Sequence, residues 1–213
     1  MRAQIVMRIL VFGATGGTGR LLVEKALSAG HKVTAFTRAD SPFSSRDDLN
    51  VVSGSVFDPI AVAAAVSGHD VVLSALGGRP WRNTRICSSA MRSIVPAMKQ
   101  HGVRRILAIS TFGANETRGE LGWFARHMLF GFLLRNEVAD KEVMEDLLSE
   151  TDLDWTIVRV GLLSDGPSRG QFRARDYRSI RGMGRIARSD VADFMLAQVE
   201  SELWKWRKPV LVY

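Results

Sequence analysis

The chain has 213 residues, which is enough for one α/β domain with a full core and short for two. It is 46% apolar and 24% charged, and its single cysteine, Cys87, excludes an internal disulfide. No stretch approaches the roughly 20 apolar residues that a transmembrane helix needs. The net charge of +7 is spread along the chain without a nucleic-acid-binding motif. We therefore predict a cytoplasmic protein that binds neither membranes nor nucleic acid, and whose basic surface attracts small anions.

Strand-like and helix-like segments alternate along the whole chain. Apolar runs predict strands at residues 8–12, 32–36, 49–52, 71–74, 105–109, 155–158 and 210–213. Helices are predicted between them, at residues 19–29, 59–66, 84–101, 137–150 and 190–202. This alternation is typical of a doubly wound parallel sheet. We predict a single domain over residues 1–213, and we expect residues 1–6 to be an extension ahead of a start at Met7.

Local signals mark the ends of three predicted helices. Gly30, Gly68 and Gly102 each stand where a helix should end, and glycine readily adopts the left-handed conformation of a C-terminal cap. Asp58 precedes Pro59, an order that predicts an N-terminal cap followed by the first helical residue.

Two segments depart from this regular alternation. Pro96 falls inside a predicted helix and should kink it or move its boundary. Residues 164–188 are rich in glycine and arginine, which predicts a small irregular C-terminal lobe beside the last strand.

The sequence ILVFGATGGTGR at residues 9–20 joins the first strand to the first helix. A strand that turns directly into a helix points free backbone N–H groups and the positive end of the helix dipole at one place, which suits a pyrophosphate. Gly13 permits the tight turn, Gly16 lets the backbone approach the phosphates, and Gly19 lets the helix pack closely on the strand. The motif therefore predicts a Rossmann-type dinucleotide site.

Arg38 follows the second predicted strand, where a Rossmann fold meets the adenosine ribose. An acidic residue there would bind the 2′-hydroxyl of NAD, whereas an arginine pairs with the 2′-phosphate of NADP. Asp40 lies two residues on and weakens the argument slightly. We predict NADP as the cofactor; the alternative is that Arg38 is a solvated loop arginine.

The carboxyl ends of the fourth and fifth strands supply further candidates. Leu76, Gly77 and Arg79 follow the fourth strand, where glycine lets the backbone pass close to a ligand. Ser110 and Thr111 end the fifth strand, where their hydroxyls would donate a hydrogen bond to a substrate, or would cap the loop instead.

An aromatic-rich segment follows the fifth strand. Phe124, Met128 and Phe132 would share one face of a helix. That face would pack on the core or on a partner, or it would line an acceptor pocket. Cys87 is predicted to be a packed thiol, and no metal site is predicted.

The motifs GATGGTGR, GSVFDP, SALGGR, HGVRRILAIST and DLDWTIVRVGLL occur in this order together with Arg38. They resemble the atypical short-chain dehydrogenase/reductase family, and within it the NmrA-like and biliverdin-IXβ/flavin reductase group. The resemblance covers residues 7–213. It implies a single NADP-binding Rossmann domain and, as in the flavin reductases, hydride transfer from NADPH to a flavin or another planar acceptor.

The resemblance also implies roles for individual residues. The pyrophosphate would be held by Gly13, Thr15, Gly16, Gly17 and Thr18. The remaining cofactor contacts would come from Arg38, Ser55, Val56, Leu76, Gly77, Arg79 and Val160. Ser110 and Thr111 match the segment that carries the reductases' active-site serine. In an alignment without gaps, Thr111 falls at the position of that serine. Ser55 stands where the family usually has aspartate, and Val160 where it usually has proline.

The chain departs from ordinary family members at their Tyr-x-x-x-Lys pair. Lys141 occupies the lysine position, but the tyrosine position is Glu137. Reduction of a ketone needs a proton donor for the alkoxide, and a carboxylate of ordinary pKa is a poor one. Flavins and quinones delocalise the added charge and take their proton from water. The departure therefore favours a delocalised acceptor.

These observations leave three candidate functions, each with a small-molecule ligand. We predict that the protein is a monomer or a homodimer. The first is NADPH-dependent reduction of a flavin, quinone or related planar acceptor, with flavin as substrate rather than prosthetic group. The second is an NADP-binding sensor of the NmrA type that does not turn over. The third, a sugar-nucleotide epimerase, is weaker because the chain is short for the usual substrate domain and lacks the tyrosine.

Overall fold

The computed structural model describes residues 5–38, 42–78, 85–121, 134–180 and 184–213. Within these ranges the strands are β1 Arg8–Phe12, β2 Lys32–Thr37, β3 Leu49–Ser53, β4 Val71–Ser74, β5 Arg105–Thr111, β6 Asp154–Val160, β7 Leu162–Ser164, β8 Arg173–Arg175, β9 Arg185–Ala187 and β10 Val210–Val212. The helices are α1 Gly17–Ser28, α2 Pro59–Val66, α3 Ile86–Gln100, α4 Arg135–Ser149 and α5 Arg188–Ala197. All seven predicted strands and all five predicted helices are confirmed.

Eight strands form one sheet in the order β3-β2-β1-β4-β5-β6-β10-β8. Every neighbouring pair is parallel except β10 and β8, which are antiparallel. The chain runs outward from β1 through β2 to β3, then returns to β4 and continues the other way. The predicted doubly wound Rossmann-type sheet is therefore confirmed. Its strand order reverses between β1 and β4, and in such sheets ligands bind beyond the carboxyl ends at that point.

Helices cover both faces of the sheet. On one face, α1 and α5 pack on strand residues that include Val11 and Val158. On the other, α2, α3 and α4 pack on residues that include Phe12 and Ile157. Because successive strand residues point to opposite faces, the strands are apolar along their whole length, as the sequence predicts.

The predicted caps are present. Gly30, Gly68 and Gly102 have φ angles of +81°, +76° and +68°, in the left-handed region that favours glycine. The Asp58 carboxylate accepts hydrogen bonds from two amides in the first turn of α2, and Pro59 is the first residue of that helix.

The structure bears on two expectations about the elements. Helix α3 continues through Pro96 to Gln100, so Pro96 does not move the helix boundary; a proline near the end of a buried helix removes one hydrogen bond while the packing of the helix remains. The lobe at residues 164–188 is not irregular throughout. It contains β8 and β9, and β9 pairs with β7 in a separate two-stranded parallel sheet. Strands of three residues are too short to show a periodic pattern, so they form where a neighbouring strand offers pairing.

A buried carboxylate attaches this lobe to the rest of the domain. Asp190, in the first turn of α5, accepts hydrogen bonds from the Ser168 hydroxyl at 2.6 Å, from the Tyr213 hydroxyl at 2.7 Å, and from the amides of Arg169 and Gly170. The Arg169 guanidinium lies 4.5 Å from the centre of the Tyr213 ring. Burial alone would raise the pKa of Asp190, but these hydrogen bonds outweigh it and lower the pKa to about 2.

We expect Asp190→Asn to destabilise the protein in a pH-dependent way. A carboxyl whose pKa falls on folding contributes stability above its unfolded value, and loses it as the pH falls through the folded value. From an ordinary value near 3.8 to about 2 this amounts to about 2 kcal/mol at pH 7 and about half as much at pH 3. Urea unfolding of both proteins at the two pH values measures the difference. A difference in unfolding free energy that does not change with pH would contradict this explanation, and Asp193→Asn on the same helix is the control.

Candidate functional site

The glycine-rich loop lies between the end of β1 and the start of α1. The Gly16 amide donates a hydrogen bond to the Gly13 carbonyl at 3.0 Å, and Gly13 has φ +76°. A Cβ on Gly13 would lie 2.7 Å from the Ala75 carbonyl oxygen, and a Cβ on Gly19 would lie 2.0 Å from the Gly13 carbonyl oxygen. Glycine is therefore required at both positions for the loop to pack against the residue that follows β4 and against its own helix.

The amino end of α1 is suited to an anion. Gly16 is the N-terminal cap residue of the helix, and no side chain accepts a hydrogen bond from the amides there. All residues of the first turn are described by the structure, and none of them is acidic. The first amide N–H groups of a helix lack intrahelical partners and carry its positive partial charge. A phosphate is the ligand that such an uncapped amino end, opened by glycines, binds best.

A cleft opens beside this loop at the carboxyl ends of β1, β2, β3 and β4. Of the residues that the sequence predicts for cofactor binding, it is lined by Gly13, Thr15, Gly16, Arg38, Ser55, Val56, Leu76 and Gly77. Its volume of about 180 Å³ is smaller than the roughly 300–1,000 Å³ of a complete ligand site, so it is large enough for only part of a ligand of dinucleotide size.

The cleft offers groups that fit the adenosine end of NADP. Arg38 is exposed at its rim, and among the described residues no carboxylate lies within ion-pair distance of it. The Thr37 hydroxyl is buried and has no hydrogen-bond partner in the described part of the chain. A guanidinium that no described carboxylate pairs with suits a phosphorylated ribose.

Several residues of the cleft were not identified from the sequence. They are Phe36, Thr37, Gly54, Phe57, Ala75 and Ile86. Phe57 is 58% exposed, which is unusual for a phenylalanine and suits stacking on a base. Gly54 has no side chain because a Cβ there would lie 2.7 Å from the Phe36 ring. The aromatic residue Phe57, next to Ser55 and Val56, is the sequence signal that could have identified this side of the cleft.

The remaining predicted pyrophosphate residues form the first turn of α1. Gly17 and Thr18 do not line the cleft, and Thr18 is buried, so their contribution to phosphate binding would come from backbone amides. Arg79 and Asp40 lie outside the described residues, as does the aromatic segment from Phe124 to Phe132.

The cleft does not include the predicted catalytic residues. Ser110 is 1% exposed and lies on the face of β5 that α4 covers, whereas Thr111 is half-buried and donates a weak hydrogen bond to the Phe112 carbonyl at 3.3 Å. Val160 is buried in the core beside Thr111, and its carbonyl accepts a hydrogen bond from the Phe112 amide. Of these side chains only that of Thr111 is partly accessible. Their roles in catalysis and in cofactor binding stay predictions.

Lys141 is engaged with the backbone. Its Nζ donates to the carbonyl oxygens of Leu76 at 2.8 Å and Ile109 at 2.5 Å, which joins the carboxyl ends of β4 and β5. Glu137 precedes it by one helical turn. Burial raises the pKa of Glu137 above its ordinary value, opposed by the positive charge of Lys141, so the premise of an ordinary pKa at this position is wrong.

Cys87 is a packed thiol, as predicted. It is buried at the start of α3, and burial raises the pKa of the thiol, the opposite of what a nucleophilic cysteine needs. The Asp140 carboxylate accepts hydrogen bonds from the amides of Cys87 and Ser88 and so caps this helix. Across the described ranges, the helices are too short or too polar to cross a bilayer.

Comparisons with known proteins identify the family of the chain. A profile of the NAD(P)H-binding family matches residues 13–202. Reductase pytE of Aspergillus terreus is 27% identical over 201 residues, covering 74% of this chain and 76% of that protein. An uncharacterized chloroplastic protein of Arabidopsis thaliana is 28% identical over 174 residues. That alignment covers 76% of this chain, which spans 61% of the length of the relative.

Solved structures share the fold over nearly the whole chain. ChuY, an anaerobillin reductase from Escherichia coli O157:H7, matches with a TM-score of 0.78 and 24% identity over 96% of both chains. A short-chain dehydrogenase/reductase from Veillonella parvula in complex with NADP matches with a TM-score of 0.80 and 19% identity. The match covers 98% of this chain and 95% of that one.

Proposed function

Because the chain belongs to the NAD(P)H-binding family, we propose that it is an NADPH-dependent reductase that transfers hydride to a planar acceptor such as a flavin or quinone. One observation carries this proposal: the amino end of α1 has no side-chain cap and begins in a glycine-rich loop, beside a cleft with Arg38 at its rim. The similarity to reductases in Aspergillus terreus and Escherichia coli supports the direction of the reaction.

The residues that surround the phosphate loop support NADPH over NADH. Arg38, which lines the cleft, would bind the 2′-phosphate. The glycine loop and the amides of α1 would bind the pyrophosphate. When bound, the cofactor supplies hydride, and the protein supplies binding, orientation and electrostatics.

The choice of acceptor class rests on what Lys141 and Glu137 do. Lys141 donates to two backbone carbonyls, and a glutamate replaces the tyrosine that would protonate an alkoxide. Burial raises the pKa of Glu137 above its ordinary value, and the positive charge of Lys141 opposes that rise. An acceptor that delocalises the charge needs only a proton from water, and its ring would be held near the nicotinamide, with Thr111 to orient it.

The test is NADPH consumption followed at 340 nm with FMN as acceptor, and with NADH in a parallel sample. We expect enzyme-dependent oxidation of NADPH, faster than that of NADH, with one flavin reduced for each NADPH consumed. Saturable NADPH binding with no oxidation in the presence of FMN or a quinone would instead support the second candidate, an NADP-binding sensor. The replacement of the tyrosine by Glu137 is what favours that alternative.

We expect Arg38→Ala to weaken NADPH binding by roughly 10- to 100-fold, because a hydrogen bond between charged groups contributes about 1.5–3 kcal/mol. NADH lacks the 2′-phosphate, so its dissociation constant should change little. Fluorescence titration of both cofactors measures the difference. Arg46→Ala, which removes an exposed arginine paired with Asp48, is the control for net charge. Equal losses for NADPH and NADH would remove Arg38 as the selecting residue.

A further inference from the structure

Two helices begin side by side next to the phosphate loop. Helix α1 starts at Gly17 and α5 starts at Arg188, and a Cβ on Gly17 would lie 2.9 Å from Cδ and 3.0 Å from Nε of Arg188. Farther along, Lys25 of α1 pairs with Asp193 of α5 at 2.6 Å, so the two helices run in the same direction. The Arg188 side chain therefore crosses the first turn of α1, in the space that Gly17 leaves.

The partner of this arginine is weakly held. The Arg188 Nη1 lies 2.7 Å from Oδ1 of Asp165, whose side chain is 92% exposed, while the Arg188 side chain is 27% exposed. Asp165 follows β7 and precedes Gly166, which has φ +141°. An ion pair with one partner in open solvent contributes little stability. A pyrophosphate, with two charges held at the amino end of α1, would compete well for the same guanidinium.

We propose that Arg188 contacts the pyrophosphate of the bound dinucleotide. When the dinucleotide binds, the guanidinium would leave its ion pair with Asp165 and pair with the pyrophosphate instead. This rests on the proposed use of NADPH and adds a second cationic residue with a distinct task. Arg38 would bind the 2′-phosphate that only NADPH carries, whereas Arg188 would bind the pyrophosphate that NADPH and NADH share. Asp165 would keep Arg188 over Gly17 in the free protein.

The test is to titrate NADPH, NADH and 2′-AMP into wild type, Arg188→Met and Asp165→Asn by calorimetry. Methionine keeps an unbranched apolar stem over Gly17 and removes the guanidinium. We expect Arg188→Met to weaken NADPH and NADH by the same factor, about tenfold, since one charge-assisted contact is lost. Binding of 2′-AMP, which has no pyrophosphate, should be unchanged and shows that the adenosine end is folded. Asp165→Asn should tighten both dinucleotides severalfold.

Arg104→Met is the matched control. Arg104 is an exposed arginine that pairs with Asp152 and precedes β5, at the amino ends of the strands and away from the cleft. Its replacement by methionine changes the net charge by the same amount as Arg188→Met. An Arg188→Met protein that binds both dinucleotides like the Arg104→Met protein would overturn the inference and leave the reductase proposal intact. A loss confined to NADPH would also overturn it, because Arg188 would then bind the 2′-phosphate. Unchanged or weaker binding by Asp165→Asn would overturn the exchange. A wild-type protein that binds neither dinucleotide would overturn both proposals.

Discussion

Replacement of Gly19 by alanine is expected to weaken NADPH binding by about 100-fold or more. A Cβ at this position would lie 2.0 Å from the Gly13 carbonyl oxygen, far inside van der Waals contact. The atom that obstructs it belongs to the backbone of the loop, so the loop and α1 must separate by more than an ångström. The amides that would bind the pyrophosphate then lose their common direction, and each hydrogen bond to a charged group that is lost costs about 1.5–3 kcal/mol, so the loss of two costs on the order of 100-fold or more.

Fluorescence titration with NADPH measures this loss, and urea unfolding shows whether the fold survives. Gly119→Ala is the matched control, because a Cβ on Gly119 meets no atom within 4 Å. Gly119 lies in a short helical turn at Asn115–Glu120, away from the cleft. Cofactor binding by Gly19→Ala at the wild-type dissociation constant would show that the loop adjusts, and would contradict the role given to its packing on α1.

The second large effect is expected at a buried ion pair beneath the carboxyl ends of β5 and β6. Arg159 and Glu145 are both fully buried, with Nε of the arginine 3.0 Å from Oε1 of the glutamate. Glu116 accepts from Arg159 at 2.9 Å, and Lys208 lies 3.3 Å from Glu145. Burial pushes the pKa of Glu145 upward, but the hydrogen bonds and charge of Arg159 outweigh this and hold the pKa below its ordinary value.

We expect Glu145→Ala to lower the free energy of unfolding by about 3 kcal/mol or more. The variant leaves the Arg159 charge buried with only a half-exposed partner, and an uncompensated buried charge is strongly destabilising. The double variant Glu145→Leu with Arg159→Met removes both charges and should recover most of the loss. Urea unfolding of the single and double variants measures both effects. A double variant as unstable as Glu145→Ala would show that packing, rather than the unpaired charge, accounts for the loss.

This cluster also bears on the predicted catalytic pair. Ser110 is the register partner of Arg159 on the neighbouring strand, so its side chain lies on the same covered face as the ion pair. Thr111, the next residue, points to the other face and is the more accessible of the two. If a hydroxyl of β5 orients the acceptor, the accessible Thr111 is the better placed residue.

The sequence by itself determined the order of elements, the parallel sheet and the glycine-rich loop between β1 and α1. These follow from local physics, because apolar runs long enough for buried strands, glycines at left-handed positions, and the Asp58-Pro59 helix start each act within a few residues. The same is true of Arg38, whose place at the carboxyl end of β2 follows from the alternation of strands and helices.

Only the tertiary structure decided which side chains meet. Thr37 at the end of β2 and Phe57 in the turn after β3 line one cleft, and Arg188 lies across Gly17 although 171 positions separate them in the chain. The three-residue strands of the C-terminal lobe exist because β10 and β7 offer backbone partners. Ser110 faces a buried ion pair because the register of β5 and β6 sets the direction of every side chain on them. Such contacts join distant segments, and no local pattern of residues specifies them.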